Sequence, residues 1–297
     1  MSSTDVVYDC PMGGSTLRQV STSQFQEGLE YLAGRPSGSG VIADQFLQSG
    51  APVGEVTSMD VGGFLSIFGT AGGQIANGAT VQIPYQKRAS GSTFAGAGAN
   101  VLVKGILNNP AQLVPMSVNA PAKGACTAQG TVHFLSADGV TPPYEVLTAQ
   151  TLGAQQFNAM YGLGPVFVNN VQVPRQIGFQ VNFGIGLSEK CHYDGAVWPS
   201  DIFMETFDPT IEFTQEDFDY LAGIAGGGAI TSIYAWIRRR ASGSTYVADN
   251  VASHIRFGFT SGVIRAQQVS ASETKHGNQA VQVLGRTLLV ANGMALS

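Results

Sequence analysis

Hydrophobic and polar residues alternate along many short stretches of this chain, as they do in strands that bury one face. The clearest stretch is Val181–Leu187, in which every second residue is apolar. Two stretches have helical spacing instead. These are Val61–Phe68, with Ser58 as the expected N-cap, and Gln215–Ile224, with Thr214 as the expected N-cap. Strands separated by Gly, Pro and Ser turns predict a mainly β chain with few helices.

One polar segment occurs twice. Gln86–Phe94 reads QKRASGSTF and Arg238–Tyr246 reads RRRASGSTY, so six consecutive residues are identical and an aromatic residue follows each time. Further identities flank the two copies in the same order: Pro52 with Pro209, Asp60 with Asp217, Gly105 with Gly258, Lys123 with Lys275, and Gly124 with Gly277. We interpret this pattern as the tandem duplication of one domain.

The duplication predicts a fold class and a domain order. The expected fold is two tandem copies of a β-sandwich or barrel domain, each with one short helix and one long hairpin. Residues 1–24 are polar and predict an N-terminal arm, followed by a first domain over 25–150. Residues 151–171 have no counterpart in the first copy and predict a linker, which leads into a second domain over 172–297.

The composition favours a protein that associates with itself. Charged residues make up only 12% of the chain, and it contains 38 glycines, so its polar character comes from small neutral side chains. Few charges keep such surfaces apart. The alternative is a monomeric β protein with a neutral surface. The net charge of −5 argues against a protein that grips nucleic acid by neutralising phosphates.

Cysteine content and hydropathy indicate the compartment. The three cysteines are odd in number and unrelated in spacing, which predicts no disulfide framework and a reducing environment. The first residues lack the basic and apolar regions of a signal peptide, and no apolar run reaches the length of a membrane span. We therefore expect a soluble protein made in a cytoplasm, with no membrane partner.

No stretch of the sequence predicts catalysis, a metal or a cofactor. Cys191–Asp194 contains a thiol, an imidazole and a carboxylate, but a second ligand pair at a closing spacing is lacking, so a turn is the expected structure. The Gly-Ser-Gly within Pro36–Gly40 lacks the strand-turn-helix setting of a nucleophile elbow. Asp217 and Asp219 are two residues apart on a predicted helix and face different sides. We expect no enzyme.

The repeated basic loops are the strongest candidate site. Arginine groups beside a flexible loop suit a contact arm that reaches a neighbouring copy, where a few ion pairs set register. A solvated hairpin end is the alternative. The candidate contact residues are Lys87, Arg88, Ser90, Gly91, Ser92, Arg238, Arg239, Arg240, Ser242, Gly243 and Ser244. The candidate acidic partners on the neighbouring copy are Asp208, Glu212, Glu216 and Asp219.

The second half also resembles a known family. The run Asp194-Gly195-x-Val197-Trp198-Pro199, followed by Phe207–Thr214, resembles the central portion of bacteriophage tail tube proteins. In that family an Asp-Gly and aromatic-Pro step precedes a Pro, an apolar strand and a short helix. The first half resembles a diverged copy through Pro52 and Val53–Thr57, with Ala43-Asp44 in place of the aromatic-Pro step.

The resemblance implies a structural virion protein. Tail tube proteins stack as rings whose β-barrel wall lets the genome pass without sequence-specific binding, and they meet other tail proteins. Most such rings are hexamers of single-domain subunits, so a duplicated subunit would complete the wall as a trimer, a pseudo-hexamer. The alternatives are a phage capsid or decoration protein and a duplicated carbohydrate-binding β-sandwich.

Overall fold

The computed structural model describes most of the chain: residues 5–35, 37, 42, 44–75, 79–90, 93–94, 96, 98–106, 111–191, 195–217, 228–242, 245–272 and 275–296. The chain is mainly β, with 63% of its described residues in strands, which confirms the predicted class. The sheets are antiparallel.

In its described part, the first half contains fourteen strands and one helix. They are β1 (Asp5–Val7), β2 (Cys10–Met12), β3 (Ser15–Leu17), β4 (Val20–Gln26), β5 (Leu29–Gly34), β6 (Asp44–Gly50), β7 (Val53–Ser58), α1 (Val61–Phe68), β8 (Gly73–Ile75), β9 (Gln82–Ser90), β10 (Thr93–Phe94), β11 (Asn100–Gly105), β12 (Ala111–Pro121), β13 (Thr127–His133) and β14 (Tyr144–Gln150).

The second half continues with strands alone in its described part. They are β15 (Tyr161–Val168), β16 (Val171–Gln172), β17 (Gln176–Asn182), β18 (Ile185–Lys190), β19 (Asp201–Phe207), β20 (Thr210–Gln215), β21 (Ala229–Ile230), β22 (Ile233–Ser242), β23 (Thr245–Tyr246), β24 (His254–Phe259), β25 (Gly262–Ser272), β26 (Lys275–Gly285) and β27 (Leu289–Met294). The predicted helix at Gln215–Ile224 falls mostly on 218–227, outside the described residues, and its expected cap Thr214 lies in β20.

One long sheet joins the two halves. Its strand order is β4-β7-β13-β12-β17-β20-β26-β25-β21, and β8 adds to β12. Strands β4, β7, β13, β12 and β8 belong to the first half, and β17, β20, β26, β25 and β21 follow from the second half. The second set therefore repeats the chain order and the pairing of the first.

The smaller sheets repeat in the same way. The first half has the order β1-β9-β11-β14 with β10 on β9, and the second has β15-β22-β24-β27 with β16 on β15 and β23 on β22. Two separate hairpins, β5–β6 and β18–β19, also correspond. This agreement supports the internal duplication, which stays a prediction.

The core lies between the long sheet and the smaller sheets. Ile83 of β9 packs so closely over β7 that a Cβ on Gly54 would overlap its side chain. Helix α1 covers β13, where Phe64 and Phe68 stack with ring centres 4.2 Å apart over Gly130. Each buried aromatic ring adds a large apolar surface to this core.

The helix Val61–Phe68 has the predicted bounds but a different cap. Ser58 still belongs to β7, and Asp60 is the N-cap, because its Oδ1 accepts from the Gly63 N–H at 3.0 Å. Ser58 supports that cap instead, since its Oγ accepts from the Asp60 N–H at 2.9 Å. Both side chains are buried.

The structure differs from the predicted arm and linker. In the segment 1–24, residues from Asp5 onward form β1 to β4, and Cys10 and Leu17 are fully buried. In the segment 151–171, residues 151–160 have no regular structure, whereas Tyr161–Val168 is a core strand paired with β22. The burial within 1–24 was missed because the local sequence is polar. The strand Tyr161–Val168 was missed because its segment has no counterpart in the repeated sequence.

The stretch Val181–Leu187 is two strands rather than one. The chain turns at Gly184, whose φ of +64° suits glycine, and a Cβ there would overlap the Asp208 carbonyl oxygen. Strand β17 therefore stays in the long sheet while β18 leaves it to pair with β19. Gly28 makes the same turn between β4 and β5, with φ +60°.

Candidate assembly interface

The second basic loop is held within the chain by its own aromatic and acidic residues. Arg238 Nη2 lies 2.6 Å from Asp249 Oδ1, and its guanidinium carbon is 4.7 Å from the centre of the Tyr246 ring. The Arg240 guanidinium lies 5.4 Å from the same ring centre and donates to the Gly124 carbonyl at 3.4 Å. Arg239 is exposed. The Tyr246 side chain thus holds Arg238 and Arg240 in place.

The first basic loop has the same construction with fewer charges. The Arg88 guanidinium lies 5.9 Å from the centre of the Phe94 ring. This contact corresponds to the one between Arg240 and Tyr246 in the second loop. Lys87 is half-buried and Arg88 is exposed. Ser90 ends β9 opposite Thr93, and Ser242 ends β22 opposite Thr245. The loop tips Gly91, Ser92, Gly243 and Ser244 lie outside the described residues.

Buried side chains anchor the two loops at equivalent places. The Lys87 N–H donates to Asn100 Oδ1 at 3.1 Å, and the Arg239 N–H donates to His254 Nδ1 at 3.1 Å. Because Nδ1 accepts, we assign the ring proton of His254 to Nε2, which donates to the Ala248 carbonyl at 3.2 Å. The fully buried His254 is therefore a structural residue.

The acidic candidates lie away from these in-chain contacts. Asp208 and Glu216 are exposed at the two ends of β20, and Glu212 is half-buried within it. Asp219 lies outside the described residues. The described partner of Arg238 is instead Asp249, which sequence reasoning missed because it follows the hairpin in an ordinary Ala-Asp-Asn turn. Contacts of the four acids with a second copy stay a prediction.

The junction between the halves shows how one copy of the repeat binds the next. Strand β12 pairs antiparallel with β17 from Ser117 opposite Asn182 to Pro121 opposite Gly178. In the middle of this junction Val118 lies opposite Val181, and both side chains are fully buried.

The strands that correspond to β17 and β12 near the two ends of the long sheet are β4 and β25. Strand β4 is the last strand at one end, and only the two-residue strand β21 follows β25 at the other. Val269 of β25 takes the place of Val118, since it lies opposite Gln279 of β26 as Val118 lies opposite Ala128 of β13. It is 61% exposed. In the described part of the chain, the outer edge of β4 and the edge of β25 beyond Val263 carry no strand.

The β18–β19 hairpin docks on the first half beside the junction. Trp198 at its tip is only 4% exposed and meets Tyr144 edge to face, with ring centres 5.9 Å apart. Gly50 leaves room for the indole, because a Cβ there would overlap it. Backbone hydrogen bonds fix the tip, from Gly50 N–H to the Val197 carbonyl at 2.7 Å and from Ser136 N–H to the Pro199 carbonyl at 2.9 Å.

A turn in the first half completes this dock. The Gly139 carbonyl accepts from the Trp198 N–H at 3.0 Å. Asp138 holds the turn, because its carboxylate accepts from the backbone N–H and the hydroxyl of Thr141 and from the Val140 N–H. These hydrogen bonds hold the pKa of Asp138 well below its usual range.

In the described part of the chain, no group of three or more His, Cys, Asp or Glu residues is placed to hold a metal ion. Residues 192–194 of the Cys191–Asp194 run lie outside this part. Burial raises the pKa of the Cys126 thiol to about 12, and the Cys10 pKa is also raised by burial.

No described helix has the length and apolar character needed to cross a membrane. No protein-family model matches the chain, and no curated protein sequence matches it.

Proposed function

We propose that the chain is a structural virion protein whose copies close head to tail into rings that stack as a phage tail tube. The observation that carries this proposal is the continuous sheet. Near its two ends, strands β4 and β25 correspond to β17 and β12, which already pair inside the chain. An unpaired edge is a template for another strand, and a closed ring removes both edges.

The repeated order of strands supports three copies per ring. Each half occupies one position in the sheet, so one chain supplies two equivalent positions. Three chains then form the six-position wall that tail tube proteins of a single domain build from six chains. The junction between two chains repeats the junction between two halves.

The outer face of the long sheet supports a role as the wall of a conduit. This face is opposite the core. Strands β4, β7, β12, β13, β17 and β20 contain no Lys or Arg, and the Lys and Arg residues in the described part of the long sheet are the exposed Arg265 of β25 and Lys275 at the start of β26. The exposed and half-buried residues of the face include Gln24, Glu55, Asn119, Gln129, Gln180, Glu212 and Gln282. Cations bind phosphates, so a wall with few of them leaves DNA free to slide.

The test is the mass of the particles in solution and their form in the electron microscope. We expect the purified wild-type protein to form rings of three copies and, at higher concentration, hollow tubes. Val269→Asp should fold but remain a monomer, because the exposed carboxylate would be buried at the junction. The matched control Val146→Asp replaces a valine that is 53% exposed on β14 and should assemble as the wild type does.

Other outcomes would overturn the proposal. Closed shells or knobs on capsids would indicate a capsid or decoration protein. A dispersed monomer that binds a sugar array would indicate a carbohydrate-binding sandwich.

A further inference from the structure

We infer that the β5–β6 hairpin of one copy docks into a groove beside β21 and β25 of the next copy. This inference rests on the proposed ring, and it names a second contact surface with its residues. The groove measures about 500 Å³ and is lined by Phe207, Ile230, Gly262, Val263, Leu284 and Arg286, among others.

The groove is the counterpart of a site that the chain already fills. In the first half, the β18–β19 hairpin lies beside β8 and β12, and Leu187 and Met204 share a cavity with Gln74 and Gln112. In the second half, β21 and β25 take the places of β8 and β12 in the sheet. Ala229 and Val263 then stand where Gln74 and Gln112 stand, because each pair lies opposite across its two strands. In the second half, the docking site beside β21 and β25 is therefore not filled by a hairpin of the same chain in the described residues.

The hairpin left over at the other end is β5–β6. It corresponds to β18–β19, since both follow a glycine turn out of the long sheet. Tyr31 takes the place of Leu187, because it lies opposite Leu47 as Leu187 lies opposite Met204. Tyr31 is 57% exposed, whereas Leu187 is half-buried.

The groove has apolar walls at Phe207, Val263 and Leu284, with the charged Asp208 and Arg286 beside them. An exposed aromatic ring on one end and these apolar walls on the other are complementary surfaces.

The tips of the two hairpins also match their sites in size. In the occupied site, Gly50 admits the large Trp198. In the open groove, Phe207 replaces Gly50, since each ends the second strand of its hairpin. Ile42 lies in the tip between β5 and β6, as Trp198 lies in the tip between β18 and β19, and it is 40% exposed. A large wall residue thus meets a smaller tip residue.

The contact predicts a pair of sensitive positions and an insensitive neighbour. Tyr31→Asp and Val263→Asp change exposed side chains, so each variant should fold as a monomer. Each places a carboxylate in the apolar contact and should raise the concentration needed for ring formation at least tenfold. Leu32→Asp is the matched control. Leu32 is 58% exposed on the same strand as Tyr31 but faces the opposite side of the hairpin. The Leu32→Asp variant should therefore form rings as the wild type does.

Charge pairing adds a second test. Tyr31→Glu and Val263→Lys should each weaken rings alone, and the double variant should recover part of the loss, because the two charges meet between copies. Mass photometry over a dilution series measures all of these variants.

The outcomes separate this inference from the ring itself. If the Tyr31→Asp and Val263→Asp variants form rings at the same protein concentration as the wild type, the hairpin contact is overturned and the ring proposal stays intact. Equal weakening by Leu32→Asp would also overturn the hairpin contact, since the effect would then not be specific to one face. Absence of rings from the wild type would overturn both.

Discussion

Replacing Trp198 by Ala should separate the β18–β19 hairpin from the first half and destabilise the chain. The indole is 4% exposed and occupies the space left open by Gly50. A buried aromatic side chain removes about 150–250 Å² from water. At about 25 cal/mol/Å² this corresponds to roughly 4–6 kcal/mol, an upper figure because the unfolded chain buries some area too.

The expected loss in the free energy of unfolding is therefore about 3–5 kcal/mol, the usual range for Trp→Ala in a core. Urea denaturation followed by circular dichroism, at concentrations below assembly, measures it. Phe203→Ala on the same hairpin is the control. Phe203 is 46% exposed, so its loss should be about 1 kcal/mol.

Amide exchange gives a local reading of the same contact. The Ser136 N–H donates to the Pro199 carbonyl at 2.9 Å and should exchange faster when the hairpin leaves. A Trp198→Ala variant that is no less stable than Phe203→Ala, with Ser136 still protected, would refute the docking argument.

Three further predictions follow from the site. Because the pKa of Asp138 is lowered in the folded chain, its carboxylate stabilises the turn at pH values above its ordinary pKa of about 3.9, and this stabilisation is lost as the pH falls below about 4. Asp138→Asn should remove this pH dependence from acid denaturation curves. A curve identical to that of the wild type would contradict the prediction. Thiol reagents at neutral pH should label exposed Cys191 in the folded chain, whereas buried Cys10 and Cys126 should react only after unfolding, as mass spectrometry of the labelled peptides will show. Arg239→Glu should leave the folded monomer within about 0.5 kcal/mol of wild type, since the side chain is exposed, but should shorten tubes seen by electron microscopy; tubes of normal length would show that this arginine is solvated.

The fold class and α1 follow from local patterns, and the structure confirms both. Alternation predicts strands, and Val61–Phe68 shows helical spacing that nothing in its surroundings overrides. The Gly184 turn was missed because a single glycine within an alternating stretch does not reveal that the chain leaves one sheet for another. The buried Cys10 and Tyr161 were missed because their covering strands are far away in the chain.

The candidate site was predictable only in part. The repeated sequence places both basic loops at the ends of β9 and β22, as the hairpin prediction requires. The Arg238 pair with Asp249 and the pairing of β12 with β17 depend on tertiary geometry that no spacing encodes. The assembly surfaces emerge from comparing the filled junction with the two open ends of the sheet.

The most direct test of ring closure is a disulfide between copies. The within-chain pair Asn119 and Gln180 corresponds to Ser270 and Gln24 across copies, and both of these side chains are exposed. Opposite residues of antiparallel strands lie about 4.5–5.5 Å apart at Cα, within the range a disulfide spans.

The experiment oxidises a Gln24→Cys, Ser270→Cys chain that also carries Cys191→Ser, and separates the products on a non-reducing gel. The account predicts a ladder that ends at three linked copies, with the closed trimer as its main product. A chain that stays unlinked under oxidation, or a ladder that continues past three copies, would contradict a closed ring of three.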